Sequence, residues 1–97
     1  RERRVYGVPD LIVEILSPGN REYDLNVKLR AYADAGVPEI VIIDPTARTL
    51  ALYNLIAVGS YAEPHLYGEA DTVTFARLPG IALRVGLLFE GAPDTEA

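Results

Sequence analysis

Two carboxylates and one lysine carry most of the chemistry this sequence has to offer. Asp10 and Glu14 stand in the run Pro9-Asp10-Leu11-Ile12-Val13-Glu14-Ile15-Leu16, and Lys28 follows in the next segment. A short, β-branched apolar run reads as a buried strand. Side chains alternate along a strand, so positions 10, 12 and 14 share one face. Acids paired on one face suit a hard cation. At about 3.3 Å per residue the two carboxylates lie roughly 13 Å apart. That is too far to share one ion directly, unless the strand bends or Asp10 acts through a water. Glu14 is the odder of the two, because a bare charge amid Ile12, Val13, Ile15 and Leu16 is costly. It needs a metal, a basic side chain or backbone donors. A buried Glu with a basic partner and a Glu that serves a site are equal readings of these residues alone.

The segment that follows supplies the basic partner. Leu25, Leu29 and Tyr32 recur at four and three residues and make one apolar stripe, which predicts a helix over residues 23–35. Asp24 near its start favours the helix N-terminus, and Gly36 followed by Val37-Pro38 closes it. Lys28 lies beside the stripe, one turn after Asp24 and one turn before Tyr32. A site lysine there points back to Glu14, and a surface lysine pairs with Asp24 and points to water.

Residues 40–43, Ile-Val-Ile-Ile, form a continuous apolar run, the pattern of a central strand covered on both faces. Strand 11–16, the helix and strand 40–43 make a βαβ crossover with parallel strands. Residues 44–48 are a turn, and 49–55 form a strand hairpinned to 40–43. Beyond it, 60–66 and 72–75 are weaker strand candidates. Leu78-Pro79-Gly80 reads as a turn, residues 81–85 alternate like a half-buried strand, and Leu87-Leu88-Phe89 closes the core. Residues 91–97 read as a frayed tail. The expected class is α/β, a mixed sheet with a βαβ crossover and C-terminal antiparallel strands, in a single domain over residues 1–97.

Composition bounds the partners. The 97 residues are 49% hydrophobic, as expected of a packed globular domain. Fourteen acidic and nine basic residues give a net charge of −5, which repels nucleic acid unless a local basic patch or a metal ion compensates. Arg1, Arg3 and Arg4 form one small basic cluster, read first as a solvated terminus. The chain has no Cys, so disulfides and thiolate zinc sites are excluded. No apolar run reaches the length of a membrane span and no signal-peptide core opens the chain, so the expected location is the cytoplasm. The chain opens Arg1-Glu2-Arg3-Arg4 and contains no Met, which leads us to expect a piece of a longer protein, incomplete at the N-terminus.

The ordered set Gly7-Val8-Pro9-Asp10-Leu11-Ile12-Val13-Glu14-Ile15-Leu16-Ser17-Pro18, Tyr23-Asp24, Lys28, Tyr32, Gly36-Val37-Pro38-Glu39 and Ile43-Asp44-Pro45 resembles the Uma2 family, also called DUF820. That family is assigned to the PD-(D/E)XK restriction-endonuclease-like group. The resemblance runs from about Arg4 to Leu55 and returns from Leu78 to Phe89. It implies the C-terminal part of a nuclease-like domain, with a site built from an upstream acid, a strand glutamate and a lysine. Glu14 matches the acidic position of the (D/E)XK element. Leu16 stands where that element has its lysine; the resemblance implies a lysine moved to the following helix, and Lys28 fits that place. Asp10 is not equated with the group's first aspartate, which belongs on a preceding strand, and is kept as an accessory. Ile40-Val41 departs from the Tyr-Trp usual in the family, a change of packing more than of chemistry.

The function implied is metal-dependent endonucleolytic hydrolysis of phosphodiester bonds, by the full-length form. Catalytic residues would be Glu14, Lys28 and Asp10. Glu14 and Asp10 would ligate Mg²⁺ or Mn²⁺, with DNA expected ahead of RNA as substrate. The alternative is a catalytically inactive nuclease-fold module for binding or homodimerisation, which the acidic charge favours. His65 is a lone histidine without clustered acids, Ser17 and Ser60 lack a nucleophile motif, and Gly59, Gly68 and Gly80 make no phosphate loop. Tyr32, Tyr53 and Tyr61 read as core residues.

Overall fold

A computed structural model describes residues 7–17 and 21–90. Its elements run β1 (Leu11–Ile15), α1 (Arg21–Ala35), β2 (Glu39–Asp44), β3 (Thr49–Ala57), β4 (Ser60–Tyr61), β5 (His65–Tyr67), β6 (Thr72–Phe75), β7 (Leu78–Arg84) and a 3₁₀ helix at Val85–Phe89. The expectations for Arg1, Arg3 and Arg4 and for the tail 91–97 lie outside the described residues.

β1 pairs with β2 in parallel, from Leu11 opposite Glu39 to Ile15 opposite Ile43. β2 pairs antiparallel with β3, from Glu39 opposite Asn54 to Asp44 opposite Thr49. The sheet order is β1-β2-β3-β4, with β5 also paired to β3. The expected parallel crossover and the following hairpin are therefore both present. β2 is central, and Ile40, Val41 and Ile42 are buried as their unbroken apolar run requires.

The period-2 alternation of the strands sends their side chains into two cores. On one face Val37, Ile40 and Ile42 pack with Ile12, Leu16, Leu25, Leu29 and Tyr32, so α1 covers this face. On the other, Val41, Leu50 and Leu52 pack with Val73, Phe75, Val85 and Phe89, so β6 and the 3₁₀ helix cover it. Helix α1 ends where Gly36 takes φ +83°. The Gly36 N–H then bonds Ala33 O and the Val37 N–H bonds Tyr32 O, at 3.0 and 3.1 Å, the two bonds of a Schellman cap.

Four expectations need correction. β1 is not fully buried. It ends the sheet among the described residues, and on the face away from α1 Val13 and Ile15 are 50% and 66% exposed. The candidate strand 60–66 is two short strands, separated by residues 62–64, that pair with different parts of β3. Leu78-Pro79-Gly80 is not the turn. Ala76-Arg77 turn the chain, and 78–80 belong to β7. Pro79 and Gly80 (φ +89°) fit there because the β6–β7 register shifts between Thr74 and Phe75, which makes an irregular stretch free of a regular ladder. Last, Val85 and Phe89 are buried, but Leu87 and Leu88 are not, because the 3₁₀ helix offers only one side to the core.

The β6–β7 turn is anchored by an acid. Glu39, only 2% exposed, accepts hydrogen bonds from the backbone N–H groups of Ala76 and Arg77 at 3.0 and 2.9 Å. A buried carboxylate is tolerated when donors are fixed around it.

Candidate active site

Glu14 lies on β1 between Ile12 and Leu16, whose side chains join the core beneath α1. Alternation therefore aims Glu14 at the helix. Lys28 and Tyr32 are one turn apart on α1 and so share the face that looks onto β1. The Lys28 ammonium donates to Glu14 Oε1 at 3.1 Å, and the Tyr32 hydroxyl donates to Glu14 Oε2. Both carboxylate oxygens are thus engaged. Side-chain exposure is 19% for Glu14 and 44% for Lys28, so the lysine reaches solvent while the glutamate faces inward.

The electrostatics follow from this packing. The Tyr32 hydrogen bond is the main influence lowering the Glu14 pKa below its ordinary value. Burial opposes it, and the hydrogen bond and charge of Lys28 add to it. The same hydrogen bond, helped by burial and by the Glu14 charge, pushes the Tyr32 phenol up to about 12. At neutral pH Glu14 is ionised and Tyr32 keeps its proton. The ionised Glu14 and Lys28 balance in charge. What faces solvent is the Lys28 ammonium, suited to meet an anion.

Lys28 thus reaches back to the strand. This contact gives a half-buried acid its basic partner, which both readings of the sequence require. Asp10 lies exposed in the bend before the first ladder pair of β1, and it is not among the groups bonded to Glu14. His65 is exposed on β5. Among the described residues no three His, Asp or Glu side chains come together, so a Mg²⁺ or Mn²⁺ held here would take most of its roughly six oxygen ligands from water and phosphate. Tyr32 and Glu39 are the residues whose polar roles the sequence reading missed. For Tyr32 a signal existed, a hydroxyl one helical turn from Lys28 on the same face. For Glu39 there was none, because its partners lie in a distant turn.

No helix among the described residues is long and apolar enough to cross a membrane. Among curated proteins nothing matches the chain. Among solved structures it is similar to the crystal structure of "a putative nuclease belonging to DUF820" from Anabaena variabilis, with a TM-score of 0.71 and 21% identity. The similarity covers 87% of this chain and 45% of that one, so the chain spans less than half the length of that protein. At this identity the likeness shows a shared mixed α/β fold. The profile of the Uma2 family, described as "Putative restriction endonuclease", matches residues 1–86. The motifs around Glu14, Lys28 and Gly36 therefore stand in a match that runs over most of the sequence, and the chain belongs to the Uma2 family.

Proposed function

We propose that this chain carries the glutamate–lysine half of a nuclease site that hydrolyses nucleic-acid phosphodiesters, DNA ahead of RNA, in the full-length protein. The observation that carries the reading is the 3.1 Å contact between Lys28 Nζ and Glu14 Oε1, made across a β1–α1 junction in a chain of this family. Lys28 would neutralise charge developing on the phosphate or orient the attacking water. Glu14 holds that ammonium beside β1 in the absence of substrate. Dependence on Mg²⁺ or Mn²⁺ is part of the proposal, with Glu14 as ligand and Asp10 as accessory. Such an ion would complete its sphere with water and phosphate oxygens, and the further, upstream acid is what the family resemblance implies. When bound, the ion would polarise the phosphate and lower the pKa of a coordinated water.

The test uses the protein at its full natural length with DNA and Mg²⁺, comparing wild type with Glu14→Ala and Lys28→Ala. Cleavage by wild type that drops at least a hundredfold in both variants supports the assignment. Equal cleavage by wild type and Glu14→Ala refutes it.

A second reading, a non-catalytic binding or dimerisation module, is favoured by the net charge of −5 and by Val13 and Ile15 exposed on the strand that ends the sheet among the described residues. A metal-supplemented protein that cuts neither DNA nor RNA and sediments as a dimer supports that module instead.

A further inference from the structure

The two donors on Glu14 differ in how firmly they are held. The Tyr32 ring packs against the core of Val37, Ile40 and Ile42. Its own carbonyl is fixed by the Val37 N–H in the cap that ends α1. With two side-chain torsions and a packed ring, tyrosine loses little freedom on making a hydrogen bond. Lys28 has a long flexible stem, and 44% of its side chain is exposed. A carboxylate bonded to lysine alone would hold the ammonium as its only partner. Any approach of the ammonium to another anion would then strand a half-buried charge.

We propose that Tyr32 is the positioning residue of this site: it holds Glu14 through Oε2, so that Lys28 is released to swing from Oε1 to a phosphodiester of the substrate. This rests on the nuclease reading above for the identity of the substrate, and on the hydrogen bonds alone for the hold on Glu14. Tyr32 supplies no proton and touches no substrate. Its effect on turnover passes through Lys28.

The experiment uses the full-length protein and the variants Tyr32→Phe, Glu14→Ala, Lys28→Ala and the doubles Tyr32→Phe/Glu14→Ala and Tyr32→Phe/Lys28→Ala. Urea unfolding of the Tyr32–Glu14 cycle reads the hold directly. A hydrogen bond to an ionised carboxylate gives a coupling of about tenfold in the unfolding constant. Cleavage of an oligonucleotide with Mg²⁺ reads the role. Tyr32→Phe is expected to lower kcat about tenfold with KM nearly unchanged. In the Lys28→Ala background the same change is expected to cost less than twofold, because the group it releases is gone. A merely structural tyrosine would lower activity by the same factor in both backgrounds, and that result overturns the proposal. So does a coupling below twofold in unfolding. If wild type cleaves nothing while the tenfold coupling persists, the nuclease reading fails and the hold of Tyr32 on Glu14 stands.

Discussion

Replacing Glu39 by alanine is expected to loosen the β6–β7 hairpin from the central sheet. Glu39 is buried on β2, and its two oxygens take the N–H groups of Ala76 and Arg77 at 3.0 and 2.9 Å. Hydrogen bonds to an ionised group contribute about 1.5–3 kcal/mol each. The pair is therefore worth up to about 6 kcal/mol if both donors stay dry. Ala76 and Arg77 are themselves exposed, so their N–H groups regain water once the acid is gone. That places the expected loss at the low end, about 3 kcal/mol, a large part of the 5–15 kcal/mol typical of a domain. Glutamine keeps one acceptor and presents an amide to the other N–H, so Glu39→Gln is expected to lose about half as much. Urea unfolding followed by circular dichroism gives the totals. Hydrogen exchange locates them, and the Thr72–Phe75 and Ala76-Arg77 amides should exchange faster while those of β2 change less. Val73 and Phe75 remain packed on the core and limit the effect to a local opening unless global stability is low. An alanine variant within about 0.5 kcal/mol of wild type, a difference expected of surface changes, would refute the claim that this acid anchors the hairpin.

Further outcomes concern the helix end and pH. Gly36→Ala should cost about 1–2 kcal/mol in urea unfolding, because φ +83° is unfavourable for a residue with a Cβ. Nothing lies within 4 Å of where that Cβ would sit, so the cost is backbone alone and a structure of the variant should show no side-chain shifts. Glu14 has its pKa lowered from 4.5 on folding, so its contribution to stability is present above pH 4.5 and is lost as pH falls through the folded pKa. Glu14→Gln should flatten that acid limb of a stability–pH curve. Tyr32 is raised from 10.0 to about 12, so its contribution is complete below pH 10 and is lost as pH rises toward 12. Tyr32→Phe should remove that alkaline decline, and a decline of unchanged steepness in the variant would contradict the assignment.

How much could be read in advance depended on the range of the interaction. The order strand, helix, strand, strand over residues 11–57 follows from local period and from Gly36, and the structure keeps it. The approach of Lys28 to Glu14 was also legible, because a βαβ unit must lay its helix over its own strands. The turn of the second hairpin was not. Leu78-Pro79-Gly80 has turn composition, but Leu78 pairs with Phe75 across Ala76-Arg77, and that register is set by Val73 and Phe75 seeking the core.

The sequence by itself determined which residues were available for chemistry and which side of each element they occupy. Alternation put Glu14 on the face shared with Ile12, and helical spacing put Lys28 beside the stripe that carries Tyr32. Tertiary structure decided what those groups meet. It turned Tyr32 from core filler into the donor to Oε2, enclosed Glu39 with two backbone N–H groups, and left β1 as the last strand of the described sheet. The physical reason is that propensity and periodicity act over a few residues, whereas these contacts join groups 18, 37 and 38 residues apart. Only the packing of helix and hairpin on opposite faces of one sheet brings them within hydrogen-bond reach.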